Sequence, residues 1–379
     1  MGNKKKVLVI ATGGTIASEI SDKGGLSPQL SGKMLTEMLA SEASKEAFEI
    51  EALQLMKKDS TNLDPNDWDT IIHVISDNID DYDGIVVLSG TDTMAYAASA
   101  LSYVLPETKP IVFTGSMLTV NAEGSDAARN FNHALSVAGD SAYAGVFVAF
   151  GGKVIPGVNA TKITTENSVA FGSKNNMANM HARPKRNNMF CGVSDKNVPI
   201  SATLLRDKNG IPKENFDANV FVLHLTPGFS PGLLEKIAAE SDGIVIEVFG
   251  TGGLPDSLLN VVSNISKEKP VVLVTQVPNG IIDLDKYDVG KNAKDAGVID
   301  GKGMTVEAAV TKLMYVLKKT KDVNEIRSLM SKDMRGEFGT AKNEATVATI
   351  GVAANSAAAL SGALYAGQIK QKPLHEAAA

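Results

Sequence analysis

The sequence predicts an α/β protein with two domains: a larger N-terminal domain built on a mostly parallel, doubly wound sheet, and a smaller C-terminal α/β domain. Short apolar runs alternate with helical patterns, which is typical of βαβ units. The 379 residues suffice for two cores, and a polar stretch separates two such alternating halves. We place the N-terminal domain at 1–195, a linker at 196–217, the C-terminal domain at 218–335 and an extension of unassigned role at 336–379.

In the first half, short apolar runs bounded by turn residues are predicted strands. They lie at 6–11, 49–56, 84–88, 110–114 and 145–150. The stretches between them have helical periodicity and are predicted helices at 32–40, 66–81, 93–105 and 126–139. Asp64 followed by Pro65 supports the start of the second helix, since it supplies a cap and then a residue whose φ is already helical.

The second half repeats this alternation without an internal repeat of fixed period. Predicted strands lie at 219–224, 243–248 and 270–275, and predicted helices at 231–239, 256–266, 305–318 and 323–330. Residues 345–369 contain no charged side chain and are long enough to span a bilayer. Their strongly apolar residues are few, so we favour a weakly ordered or subunit-packing helix, or a disordered tail, over a membrane helix.

Composition narrows the class of protein. The 37 basic and 43 acidic residues give a net charge of −6, and no basic stripe interleaved with aromatic residues is present, which argues against nucleic-acid binding. A single cysteine, Cys191, excludes an internal disulfide and suits a reducing compartment. The apolar run after Lys4–Lys6 is too short for a signal peptide. These features predict a cytoplasmic protein.

Two threonines follow predicted strands in glycine-containing loops: Thr15 in ATGGTIAS (11–18) and Thr91 in GTDTM (90–94). Loops after neighbouring parallel strands open on the same edge of a sheet, where ligands bind. Hydroxyl groups and exposed N–H groups there suit attack on a carbonyl. Gly13 and Gly14 are by themselves equally compatible with a phosphate-binding loop, because backbone donors serve both purposes.

A threonine nucleophile needs a base. None of the five histidines follows a predicted strand of the first domain, and none has metal-ligand spacing, so we expect neither a histidine base nor a metal site. A lysine can act as the base if burial and neighbouring charge lower its pKa. Lys162, in NATKITT (159–165), is the best candidate, although a lysine is by default a surface residue.

The segments ATGGTIAS and GTDTM resemble the two signature motifs of the bacterial and archaeal L-asparaginases, and further matches follow in the family's order from residue 6 to about 335. They are Asp59-Ser60-Thr61, TGSM (114–117), Ser125-Asp126 with Asn130 and Asn132, Lys162, FGTGGLP (249–255), Thr275-Gln276, AGVI (296–299) and the segment from Glu307 to Lys312.

The resemblance implies an amidohydrolase that converts L-asparagine to L-aspartate and ammonia. It implies that Thr15 is the nucleophile and that Thr91, paired with Lys162 as the base, is the second catalytic threonine. A covalent acyl-enzyme would form and be hydrolysed by water. The resemblance also implies a homodimer or homotetramer that needs no cofactor or metal.

The same resemblance implies how the substrate is held. Asp92 would contact the α-ammonium group, a charge-assisted pairing. Ser60 and Thr61 would hold the α-carboxylate. Backbone N–H groups near Gly14 and Thr91 are the candidate donors to the developing oxyanion.

The sequence departs from the family in two places. Many asparaginases have a catalytic tyrosine on a mobile lid after the first threonine, but residues 21–28 contain none and Leu26 lies near its position. Tyr287 could contribute from elsewhere. Some relatives are regulated by asparagine at a second site, which uses a cysteine directly after the Thr-Gln pair. Val277 and Pro278 follow Thr275-Gln276 here, so we do not expect regulation by asparagine.

The sequence leaves four alternatives to an L-asparaginase open. A glutaminase-asparaginase would differ by one methylene in its substrate, which a pocket discriminates by only ~1–3 kcal/mol. A non-catalytic amino-acid sensor would explain the missing lid tyrosine. The amidase subunit that supplies ammonia for tRNA-bound glutamate normally carries an extra N-terminal domain. We disfavour it because the first predicted strand of this sequence begins at residue 6 or 7. A nucleotide-binding module is disfavoured because the chain has no G-x-G-x-x-G followed by an acidic ribose ligand.

Overall fold

The larger sheet holds six strands in the order β4-β1-β5-β6-β7-β8, in a computed structural model that describes residues 4–22, 24–174 and 216–339. Its strands are β1 (Lys5–Gly13), β4 (Phe48–Lys58), β5 (Gly84–Leu88), β6 (Pro110–Thr114), β7 (Gly145–Phe150) and β8 (Lys153–Pro156). The first five strands in this order are parallel and β8 is an antiparallel edge. β5 and β6 are buried throughout, which explains why they read as unbroken apolar runs.

Helices cover both faces of this sheet. They are α1 (Gly32–Leu39), α2 (Glu42–Ala47), α3 (Pro65–Asn78), α4 (Met94–Val104) and α5 (Ala127–Ala138). α3 and α4 pack with one apolar cluster, and α1 and α5 with another. α3 begins as predicted: the Asp64 side chain accepts from the backbone N–H of Asp67, whose own carboxylate accepts from the Asp64 N–H.

Two short antiparallel ribbons flank the sheet. The first joins β2 (Ser18–Ile20) to β3 (Leu26–Pro28) directly after the Thr15 loop. The second joins β9 (Ala160–Lys162) to β10 (Phe171–Ser173). Neither ribbon was predicted, because three-residue strands show no periodicity and the first follows closely on a glycine-rich loop.

The smaller sheet is fully parallel, with the order β11-β12-β13-β14. Its strands are β11 (Val220–His224), β12 (Gly243–Val248), β13 (Val271–Thr275) and β14 (Ile299–Asp300). Its helices are α6 (Pro231–Ala239), α7 (Asp256–Glu268), α8 (Asp288–Asp295), α9 (Val306–Lys319) and α10 (Val323–Met330).

The two halves meet where α4 packs against α9. The Ser99 and Thr311 hydroxyls are hydrogen-bonded at 2.8 Å, and the rings of Tyr103 and Tyr315 stack with centroids 6.0 Å apart. The apolar cluster on this side of the larger sheet therefore continues into the C-terminal half. The hydroxyl pair and the ring pair fix how the helices pack.

The α/β fold class predicted from the sequence is confirmed, as are the mostly parallel sheet of the N-terminal half and the smaller α/β C-terminal half. Six elements match their predicted bounds, namely β5, β6, β7, β12, α6 and α10. α2 and α8 were missed, because α2 is only six residues long and α8 is short and polar. Most of the predicted linker, Cys191 and the uncharged tail lie outside the described residues. Among the residues that are described, no helix is long and apolar enough to span a bilayer.

Candidate active site

Three loops converge at the carboxyl ends of β4, β1 and β5, which are adjacent in the sheet. The Gly14 N–H donates to the Lys58 carbonyl at 3.0 Å. A Cβ placed on Gly14 would lie only 2.2 Å from the backbone nitrogen of Gly90, and Gly14 has a φ of +81°. Only glycine fits this backbone conformation and this approach. The Thr15 and Thr91 loops are therefore in direct contact.

Ser60 joins this arrangement from the loop after β4. Its buried hydroxyl accepts a hydrogen bond from the Asp92 N–H at 3.2 Å, and its carbonyl accepts one from the Thr93 hydroxyl at 2.7 Å. A Cβ on Gly90 would come within 2.5 Å of the Ser60 Oγ. The structure thus brings Ser60 and Asp92 together, while Thr61 beside them is exposed.

Lys162 reaches the same edge from β9. Its Nζ donates to the Thr91 Oγ1 at 2.7 Å and to the Asp92 Oδ1 at 2.5 Å. Thr91 is buried, whereas 57% of the Asp92 side chain is exposed. The predicted partnership of the second threonine with the lysine is therefore present in the structure, and a carboxylate that can meet a ligand adjoins it.

Thr15 opens a single 3-10 turn, Thr15–Ala17, and is half-buried. Its hydroxyl makes no hydrogen bond with another described residue. The neighbouring hydroxyls do: the Thr12 Oγ1 donates to the Leu88 carbonyl and the Ser18 Oγ to the Gly14 carbonyl, both at 2.9 Å. Thr15 therefore carries the uncommitted hydroxyl of this loop.

The two predicted oxyanion donors differ in this structure. The Gly14 N–H is already engaged by Lys58, whereas the Thr91 N–H donates to no other described residue. A free N–H aimed at a bound carbonyl is what stabilises a developing negative charge. Of the two, the Thr91 N–H is the one without a hydrogen-bond partner among the described residues.

Within the lid segment, residues 26–28 form β3, in which Leu26 pairs with Ile20 of β2, and both of these side chains are largely exposed. Tyr287 lines a separate apolar cavity of about 380 Å³ together with Phe249 and Val289. That cavity is lined by none of the predicted catalytic residues. The structure does not bring Tyr287 to the three converging loops.

One buried carboxyl group near the site was not assigned a role from the sequence. Glu307, in the first turn of α9, accepts a hydrogen bond from the Thr161 hydroxyl at 2.8 Å. The available signal was an acidic residue two positions after a helix cap, on the face of α9 that packs inward. Among the described residues, no group of three or more His, Cys, Asp and Glu side chains could hold a metal ion.

The sequence of this chain matches two protein-family models and is similar to known L-asparaginases. The family models "Asparaginase, N-terminal" and "Glutaminase/Asparaginase C-terminal domain" match residues 6–189 and 219–330. The L-asparaginase of Thermococcus kodakarensis is 39% identical over 343 residues, covering 88% of this chain and 99% of that protein. L-asparaginase 1 of Escherichia coli K12 is 32% identical, with 88% and 98% covered.

Two further comparisons bear on function and fold. One polypeptide of the glutamyl-tRNA(Gln) amidotransferase of Methanobrevibacter smithii is 30% identical over 348 residues, which cover 89% of this chain and 77% of that polypeptide. The solved structure of the thermostable T. kodakarensis L-asparaginase superposes with a TM-score of 0.75 at 37% identity, covering 89% of this chain and all of that one.

Proposed function

Because this chain belongs to the asparaginase family, we propose that it is an L-asparaginase with Thr15 as its nucleophile. The reaction is the hydrolysis of the side-chain amide of L-asparagine to L-aspartate and ammonia. The observation that carries the proposal is the 2.7 Å hydrogen bond between Lys162 and Thr91 beside the loop that holds the Thr15 hydroxyl.

The first half of the reaction forms an ester. The Thr15 oxygen attacks the amide carbon, and its proton passes through the Thr91–Lys162 pair to the departing nitrogen, which leaves as ammonia. The Thr91 N–H stabilises the negative charge that develops on the carbonyl oxygen, a donor worth about 3 kcal/mol in such sites. In the second half, water attacks the ester and L-aspartate departs.

The substrate is oriented by the groups at the rim. The Asp92 side chain is 57% exposed and pairs with the α-ammonium of the amino acid. Ser60 and Thr61 hold the α-carboxylate. Gly14 lets the Thr15 loop lie against the Thr91 loop beside the substrate, because any side chain there would collide with the Gly90 backbone.

A second candidate comes from the similarity to the glutamyl-tRNA(Gln) amidotransferase polypeptide. Such a protein would release ammonia from the same kind of amide for use by a partner. Two alternatives that use the same pocket complete the set: a glutaminase-asparaginase of relaxed selectivity, and a sensor that binds amino acids without turnover. We further expect a cytoplasmic homodimer or homotetramer.

An ammonia-release assay with L-asparagine, D-asparagine and L-glutamine tests the proposal. We expect turnover of L-asparagine and complete loss in Thr15→Ala, with retention in the control Thr70→Ala, which removes an exposed hydroxyl on α3. Comparable rates with L-glutamine would favour the relaxed enzyme. Aspartate binding without any turnover would favour the sensor.

The base is tested separately. Thr91→Val and Lys162→Met should each lower kcat by about 10²–10⁴-fold with a smaller effect on KM, because they remove the proton acceptor and not the substrate contacts. Near-normal turnover in Lys162→Met at neutral pH would show that another group is the base.

A further inference from the structure

The ribbon that carries Lys162 is small. β9 contains three residues and pairs in register with three residues of β10. A two-stranded ribbon of this length is not stable alone, so contacts with the rest of the protein must fix its position. The placement of the Lys162 amine therefore depends on what holds the ribbon.

Thr161 provides one such contact. It precedes Lys162 in β9, and consecutive residues of a strand point to opposite faces. Lys162 points to Thr91, whereas Thr161 points to α9 and donates to the Glu307 Oε1 at 2.8 Å. This bond links residues 146 positions apart, one in each of the two matched family domains.

Placing Glu307 at this position costs free energy, because a carboxyl group is taken out of water. It is buried, and of its two carboxylate oxygens Oε2 has no hydrogen-bond partner among the described residues. Burial raises the pKa of Glu307, an effect that hydrogen bonds with its own backbone N–H, with the Thr161 hydroxyl and with the Thr305 hydroxyl oppose. A buried, half-satisfied carboxyl group contributes little to stability. Its cost points to a use at the neighbouring site.

The other strand of the ribbon has a matching attachment. Lys174 directly follows β10, and its Nζ donates to the carbonyls of Thr275 at 2.9 Å and Met304 at 3.1 Å. Burial lowers the pKa of this amine, while the negative charges of Glu247 and Glu307 oppose the shift. Both strands are thus attached to the C-terminal half, but only the Thr161 bond lies next to the base.

We propose, on the basis of the function proposed above, that Glu307 is a positioning residue which aligns the Lys162 amine with Thr91 by holding the Thr161 hydroxyl. Glu307 touches neither substrate nor reacting atoms in this scheme. Its effect is geometric. The hydrogen bond fixes the position of β9 along the strand direction, and this position sets the direction from which the Lys162 amine reaches the Thr91 oxygen.

Four single variants and one double variant test this. Thr161→Val and Glu307→Met remove the donor and the acceptor with little change in volume. Each should lower kcat by about 10- to 100-fold, since displacements of about 1 Å at a catalytic group have effects of this size. KM should change by less than about 3-fold. Thr161→Ser and Glu307→Gln keep the hydroxyl and an acceptor oxygen, and should retain near-normal kcat.

The double variant Thr161→Val/Glu307→Met should be no slower than the slower single variant, because both changes remove the same bond. A purely structural role would instead lower thermal stability and leave the kcat of the folded Thr161→Val and Glu307→Met variants close to that of the parent. A kcat within twofold of the parent in folded Thr161→Val, or losses that multiply in the double variant, would overturn the proposal.

A crystal structure of Thr161→Val separates this inference from the proposed function. We expect the distance from the Lys162 Nζ to the Thr91 Oγ1 to lengthen beyond 3.5 Å. A distance unchanged near 2.7 Å would refute the positioning role, whether or not the parent protein releases ammonia. Absence of ammonia release from the parent protein would refute the proposed function alone.

Discussion

Replacing Lys312 by methionine should lower the free energy of unfolding by about 3–5 kcal/mol. Lys312 lies on α9 with no exposed side-chain surface, and its Nζ is 2.6 Å from the equally buried Glu337 Oε1. The same amine donates to the carbonyls of Met330 and Lys332 and lies 4.6 Å from the centre of the Phe338 ring. These contacts hold the segment after α10 against α9.

The magnitude follows from what the substitution leaves behind. Burial lowers the pKa of Lys312 while the charge of Glu337 opposes that shift. Burial alone would raise the pKa of Glu337, but Lys312 and the surrounding hydrogen bonds bring it below its usual value. Without the lysine, a fully buried carboxylate keeps the backbone N–H groups of Met334 and Arg335 and the hydrogen bond with the Asp333 side chain, but no compensating positive charge. An uncompensated buried charge of this kind costs several kcal/mol.

Equilibrium urea denaturation followed by circular dichroism measures the loss. Lys318→Met is the matched control, because Lys318 lies on the same helix and its ion pair with Asp217 is partly exposed, so it should cost no more than about 1 kcal/mol. Lys312→Met/Glu337→Gln removes the stranded charge and should recover a large part of the loss. A loss in Lys312→Met no greater than in Lys318→Met would refute the reasoning.

Two further predictions concern pH and the glycine contact. Burial, followed by the charge of Glu337, raises the pKa of Asp333 to about 7. The folded protein therefore binds more protons than the unfolded chain between about pH 4 and 7. The contribution of Asp333 to stability falls as the pH rises through that window. Asp333→Asn should flatten the dependence of melting temperature on pH there, and an unchanged slope would contradict the assignment. Gly14→Ala should unfold the protein or abolish turnover, because its Cβ would meet the Gly90 backbone at 2.2 Å. Gly24 has a similar φ of +79° but open space around it, so Gly24→Ala should lower the free energy of unfolding by only the ~1–2 kcal/mol of a left-handed residue. Thermal melts and the ammonia assay compare the two, and equal losses would show that the close approach does not matter.

The sequence alone determined the elements whose pattern is local. Buried parallel strands such as β5 and β6 read as apolar runs between turn residues, and amphipathic helices read from their period, because burial of a strand or a helix face is written in consecutive residues. The Thr15 and Thr91 loops were placed at one sheet edge by the rule that parallel strands end together. The resemblance to asparaginases supplied the roles.

Tertiary structure decided the partners. The pairing of Lys162 with Thr91 spans 71 residues, and that of Thr161 with Glu307 spans 146. Neither separation follows from any local period, because the distance is set by how β9 docks between the two halves. The same holds for Lys312 and Glu337: burial of both charges becomes visible only when the chain after α10 folds back on α9.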